Sequence, residues 1–173
     1  MPHCLRLLLG LTLSLSSLSA LADVKISDFA WIDRNHMEQQ VKRIDDLART
    51  RVGAQVRGDK SDLDTLQRII DRELVDSDDS LALQALGAVL GNVLAAEIDK
   101  LEWKIYEDDK GRSRALCVQN TQECLFPITM LSRRMEVGLK PDVQRIYEKA
   151  VRTIEPHLPE MPYGGSSSRR GNR

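Results

Sequence analysis

The sequence predicts an α+β fold: one mostly helical domain with a small antiparallel sheet of about three strands packed on a central glycine- and alanine-containing helix. Three observations predict it. Leu81, Ala85, Leu86, Val89, Leu90, Val93 and Leu94 recur at spacings of three and four, the period of a helix with one wide buried face. Leu101 to Tyr106 then alternates apolar and polar residues, the period of a strand. Two short extended runs follow, each separated by a polar turn, before the helical period returns.

The chain has 173 residues. Residues 1–22 read as a secretory signal peptide. MPHCLR is a short positive start, Leu7 to Leu18 an apolar core, and Ala20-Leu21-Ala22 a small-x-small site, with cleavage expected before Asp23. The apolar core is too short for a retained membrane anchor. Cys4 precedes that core, so it is not placed for lipid attachment. The expectation is a soluble periplasmic protein with no membrane insertion after cleavage. The signal contains Arg6 and no acid, which leaves 24 of the 25 basic and all 26 acidic side chains. That balance is no footprint for nucleic acid. Residues 23–158 are enough for one domain with a real core, and residues 159–173, ending SSSRRGNR, read as a disordered tail.

Asp23 to Trp31 reads as a lead-in, with Ser27 or Asp28 as a helix cap. Met37, Val41, Ile44 and Leu47 mark a helix face reaching to about Arg51. His36 has no cysteine or second histidine at helical spacing, so a surface role is expected rather than a metal site. Ser61 followed by Asp64 resembles a capping box for a helix burying Leu63, Leu66, Ile70 and Leu74. The run Asp76 to Ser80 lacks the glycine and distal glutamate of a calcium loop. Acids there complement the dipole of the helix that follows.

In the central helix Gly87, Gly91 and Ala95 fall four apart. Each glycine costs about 1 kcal/mol of helix propensity relative to alanine. Close approach of another backbone is the expected compensation, with a dimer face or ligand groove as alternatives. Gln84, Asn92, Glu97 and Asp99 interrupt the segment as a membrane span. In the strand Leu101, Trp103 and Ile105 share one side, opposite Glu102, Lys104 and Tyr106. Trp103 is expected as a core anchor, with a pocket wall as the alternative.

The D-D-K-G cluster before Arg112 predicts a hairpin turn, Gly111 supplying positive φ. Ser113 to Val118 is the returning strand, and Cys124 to Phe126 a third. Cys117 and Cys124 flank the turn between them and are expected to form a structural disulfide in an oxidising compartment. Free thiols or a redox pair are the alternatives. Pro127 suits the first position of a helix burying Ile128, Leu131 and Met135 and stopping at Gly138. Arg133 and Arg134 point about 100° apart on such a helix, so at most one faces inward. There it would need a carboxylate such as Glu97, Glu102 or Glu107. A solvent-facing pair is the simpler reading. A functional arginine here would bind an anion or carboxylate. Pro141 opens a last helix with Val143, Ile146, Tyr147, Ala150, Val151 and Ile154 as its stripe, ended by Pro156 and Pro159.

From Leu86 to Tyr147 the order LGAVLGNVLAAE, LEWKIYEDDKGRSRAL, LFP, SRRMEVG and DVQRIY resembles a bacterial family, domain of unknown function 3806. The resemblance implies a small exported or cytosolic bacterial domain without an assigned activity. It brings no catalytic residues, and it directs attention to Trp103, Pro127 and Arg134.

The sequence has no G-x-S-x-G, paired histidines or glycine-rich phosphate loop. The expected function is therefore a periplasmic, non-enzymatic binding or protein-interaction module. Its partner would be an unidentified protein or small molecule, with the chain a monomer or homodimer. No catalytic residue, metal or cofactor is assigned. Candidate binding residues are Trp103, Arg133, Arg134, Glu102 and Glu107, with a site expected between the central helix and the sheet, near Trp103 and Arg134. Two alternatives stand beside this: an inhibitor or protective protein that binds a secreted enzyme or toxin, and a hydrolase using Glu97, Glu102 and Glu107 as acid or base.

Overall fold

The computed structural model describes residues 24–159. The predicted signal peptide and the predicted tail from residue 160 lie outside the described residues. The sheet has four antiparallel strands in the order β1 (Lys25–Asp28), β2 (Leu101–Asp108), β3 (Gly111–Val118) and β4 (Cys124–Leu125). The strand beyond the three expected is β1, which lies in the segment expected as a lead-in. β1 pairs with the outer edge of β2, from Lys25 opposite Glu107 to Asp28 opposite Lys104, where Lys104 Nζ meets Asp28 Oδ1 at 2.6 Å. Asp28 is thus a strand residue and not a cap. Helix α1 (Trp31–Leu47) starts after Ala30, whose N–H donates to Asp33 Oδ2 at 3.2 Å.

α1 runs into one wide turn, Ala48–Val52, closed by Gly53 at φ 71°. Two carbonyls of that turn are satisfied from the next helix, α2 (Ser61–Asp71), and its C-terminal cap: Arg68 Nη2 donates to Val52 O at 2.8 Å and Arg72 Nη1 to Arg51 O at 2.9 Å. The expected Ser61–Asp64 box does not form. Ser61 is the first helical residue, and both its N–H and its hydroxyl donate to Asp59 Oδ1. An acid two residues upstream outcompeted the one three residues downstream, and Asp64 instead lies 3.9 Å from Arg68. The neighbouring Asp62 is fully buried and accepts the N–H groups of Arg57 and Gly58 at 2.9 and 2.7 Å.

Helix α3 (Ser80–Glu97) is the centre of the molecule. Asp79 caps it, accepting from Ala82 N–H at 3.0 Å while Arg43 Nη2 holds its other oxygen at 2.6 Å. Leu81, expected on the buried face, protrudes from the first turn and is 59% exposed. The remaining face is buried against α1, α2, β2, α4 (Pro127–Met135) and α5 (Val143–Ile154). By length and composition alone α3 is apolar enough to cross a membrane, but 61% of it is buried inside the protein, as in a core helix.

The small-residue column faces neighbours within the chain. A Cβ on Gly87 would lie 2.6 Å from Ile128 Cα and Pro127 O, and one on Gly91 only 2.2 Å from Trp103 Cζ2. α4 therefore begins directly on α3, with Pro127 as its first residue. α5 starts at Val143 and not at Pro141, because Asp142 caps it by accepting Arg145 N–H at 2.9 Å. Ile128, Leu131, Met135, Val143, Tyr147, Ala150 and Ile154 are buried as the pattern predicts. The hairpin closes at Asp108 opposite Gly111, where φ is 121°.

The two faces of the sheet differ. Leu101, Trp103, Leu116, Val118 and Leu125 belong to or pack on the core under the helices. Glu102, Lys104, Tyr106, Ser113, Cys117 and Cys124 alternate with them and point the other way. Cys117 and Cys124 are directly opposite across β3 and β4 and form the disulfide.

Candidate functional site

The five candidate residues are not gathered into one site. Trp103 fills the space beneath Gly91, tilts against Phe29 with ring centroids 6.0 Å apart, and donates Nε1–H to Asn92 Oδ1 at 2.9 Å. It occupies the gap between helix and sheet where a ligand was expected. Glu102 lies on the opposite face. Lys104 Nζ sits 2.9 Å from one carboxylate oxygen and Gln119 Nε2 donates to the other. Lys104 first, then Gln119, lowers its pKa from the ordinary value. Glu107, five residues on, points to the other face of the strand and is exposed. Glu97 stands at the end of α3, 2.7 Å from Lys60. These three carboxylates therefore do not face one another as an acid–base pair. Arg133 and Arg134 are both exposed, and Arg134 Nη1 turns back to its own helix at Met130 O.

Arg133 does line a cleft, and the cleft is built from residues the sequence did not single out. β4 pairs with β3 only at Leu116 and Cys117. Pro127, which has no N–H to continue a ladder, turns the chain into α4. A gap is left between the upper half of β3 and the first turns of α4. It encloses roughly 340 Å³ and is lined by Tyr106, Asp108, Lys110, Ser113, Arg114, Phe126, Thr129 and Arg133. Tyr106 and Phe126 meet edge to face, 5.1 Å between centroids.

The charge in this cleft is one-sided. Lys110, Arg114 and Arg133 all line it, and none forms an ion pair among the described residues. Asp108 is the one acid in the lining, and it accepts the Lys110 N–H at 2.9 Å. Arg114 is held from behind, its Nη1 donating to Oε1 of the buried Gln40 on α1. Gln40 is neutral, so it fixes the guanidinium without cancelling its charge. Burial pushes the Arg114 pKa down from its ordinary value, Asp33 opposing and neighbouring Arg112 adding to the effect. Asp33 itself is engaged by Arg112 Nη2 at 2.7 Å. A partly desolvated guanidinium without a direct ion pair among the described residues, beside two further cations and two aromatic rings, is suited to a carboxylate or phosphate group joined to an apolar or planar body.

The family model described as domain of unknown function (DUF3806) matches residues 62–147, which include the whole cleft. No curated protein matches the sequence. Among solved structures, a crystal structure from Bacteroides thetaiotaomicron VPI-5482 at 1.50 Å resolution superposes with a TM-score of 0.69 at 15% identity. The match covers 75% of this chain and 48% of that one, so the chain spans about half the length of its structural neighbour. At that identity the likeness is one of fold.

Proposed function

From the premise that the chain belongs to the domain of unknown function 3806 family, carried by residues 62–147, we propose that it is an exported, periplasmic, non-enzymatic binding module whose ligand presents a carboxylate or phosphate to the cleft between β3 and α4. The observation that carries this reading is the convergence of Lys110, Arg114 and Arg133, without ion-pair partners among the described residues, on one aromatic-floored cleft. Export is supported by the signal-like pattern of residues 1–22 and by the Cys117–Cys124 bond, which suits an oxidising compartment.

Titration calorimetry of the mature protein with inorganic phosphate and with glutarate tests it at low salt. Binding of one of them is expected, weakened at least tenfold by Arg133→Glu and left unchanged by Arg134→Glu, since only Arg133 lines the cleft. Equal effects of the two substitutions, or no binding of either anion, overturn the reading.

A second reading, an inhibitor or protective protein acting on a secreted enzyme, is favoured by Trp31 and Ile32. They stand side by side at the start of α1, 76% and 62% exposed. Large apolar groups left in water at adjacent positions suit a protein contact. A photo-crosslinker at position 31 that traps no single exported enzyme in cells would remove this alternative.

A further inference from the structure

The edge of β3 beside the cleft has a direction that follows from its hydrogen bonds. Val118 N–H donates to Glu123 O at 2.9 Å, on the β4 side, and Gln119 N–H donates to Lys100 O at 2.9 Å, on the β2 side. Main-chain groups alternate in direction along a strand. Leu116, Arg114 and Arg112 therefore turn their N–H and C=O groups towards β4, while Cys117, Ala115 and Ser113 turn theirs towards β2. β4 covers Leu116 and stops. The N–H and C=O of Arg114 and Arg112 have no backbone partner among the described residues. An open run of about five residues, roughly 17 Å at 3.3 Å per residue, borders the cleft.

We propose that the cleft receives an extended acidic peptide, which adds to the β3 edge through the Arg114 main chain and places a carboxylate side chain between the Arg114 and Arg133 guanidinium groups. This rests on the anion-binding cleft proposed above and specifies its ligand class. An unpaired strand edge is a template for another strand. Charge complementarity selects the occupant. A second copy of β3 laid antiparallel on the first would set Arg112 and Arg114 against the same arginines, and like charges opposite one another destabilise a pair. The same arginines keep neutral and basic strands away. An acidic strand meets cations instead, and the Tyr106–Phe126 pair offers its neighbouring side chain an apolar contact.

The test uses the mature protein and a labelled, terminally blocked nonapeptide of alternating glutamate and valine. Fluorescence anisotropy gives affinity, and amide shifts in a nitrogen-15 spectrum report the position. The expected results are binding with shifts at the Arg112 and Arg114 amides, at least tenfold loss when alternate peptide nitrogens are methylated in the pairing frame, and at least tenfold loss with Arg133→Glu. Arg133 is exposed, so that variant is expected to fold. If N-methylation in both frames leaves affinity unchanged, or glutarate binds as well as the peptide, the strand-addition proposal fails and the anion cleft stands. If neither glutarate nor phosphate binds in an Arg133-dependent way, both fail.

Discussion

Gly91 and Trp103 are complementary: the side chain that Gly91 lacks would occupy the position of the Trp103 ring, 2.2 Å from Cζ2. The indole is also tied to Asn92, the next residue of the same helix. Alanine at 91 gains about 1 kcal/mol of helix propensity but forces a well-packed ring to move, a class of change costing about 1–3 kcal/mol. A net loss is expected in urea unfolding. Gly87→Ala is expected to cost more, because its obstacle is the backbone of Pro127 and Ile128, which shifts only with the whole of α4. The reverse ranking would show that α4 is not seated on α3 as described.

The Cys117–Cys124 bond closes a loop with a sequence separation of 7. Chain entropy gives such a cross-link about 2.5 kcal/mol. Reduction, or a double serine substitution, is expected to lower stability by about that amount while leaving a folded protein, since the bond lies on the face of the sheet away from the helices. A denaturation midpoint insensitive to reductant would contradict this.

Asp33 should contribute a pH-dependent part of stability. The Arg112 hydrogen bond is the largest cause holding its pKa below the ordinary 3.8, with burial opposing and the Ala30 N–H assisting. A depressed carboxylate stabilises the fold above its unfolded pKa, and the contribution disappears as pH falls through the lower, folded value. Wild type should therefore exceed Asp33→Asn at neutral pH. The gap should narrow only below about pH 4, as read from unfolding curves at a series of pH values. A gap that stays constant down to pH 2 would argue against an ionic role.

Gln40→Glu separates positioning from charge. The glutamate would still accept from Arg114 but would neutralise it. Phosphate or glutarate affinity is expected to fall about tenfold, near 1.4 kcal/mol, with folding little changed, because a buried pair roughly offsets its own desolvation. Unaltered anion binding in a folded variant would show that Arg114 does not face the ligand.

Much of the framework was readable in the sequence. Gly87 and Gly91 announced close contact, Pro127 announced the start of α4, and the alternation around Trp103 fixed which side of β2 is covered. β1 was not readable, because KISD is short and mostly polar, with one apolar residue. It becomes a strand only because β2 offers an edge. The Ser61 cap is not legible either, because Asp59 and Asp64 compete for it and only geometry decides. The cleft was the least readable part. Tyr106, Arg114 and Phe126 carry no shared motif, and they meet because a two-residue turn folds β3 back on β2 and Pro127 cuts β4 short. Of the candidate binding residues, only Arg133 belongs to that place.

The pairing of β1 with β2 also imposes an order in time. Asp28 leaves the ribosome 76 residues before Lys104, the residue it grips. Between the first strand and its partner stand α1, α2 and α3, each with its own apolar face. The inner edge of β2 is closed by β3 across a two-residue turn, whereas its outer edge needs a strand far away in sequence. Closing a loop of that length is among the slower steps in assembling a small domain. Until it happens, β2 presents an open flank to whatever else is newly made nearby.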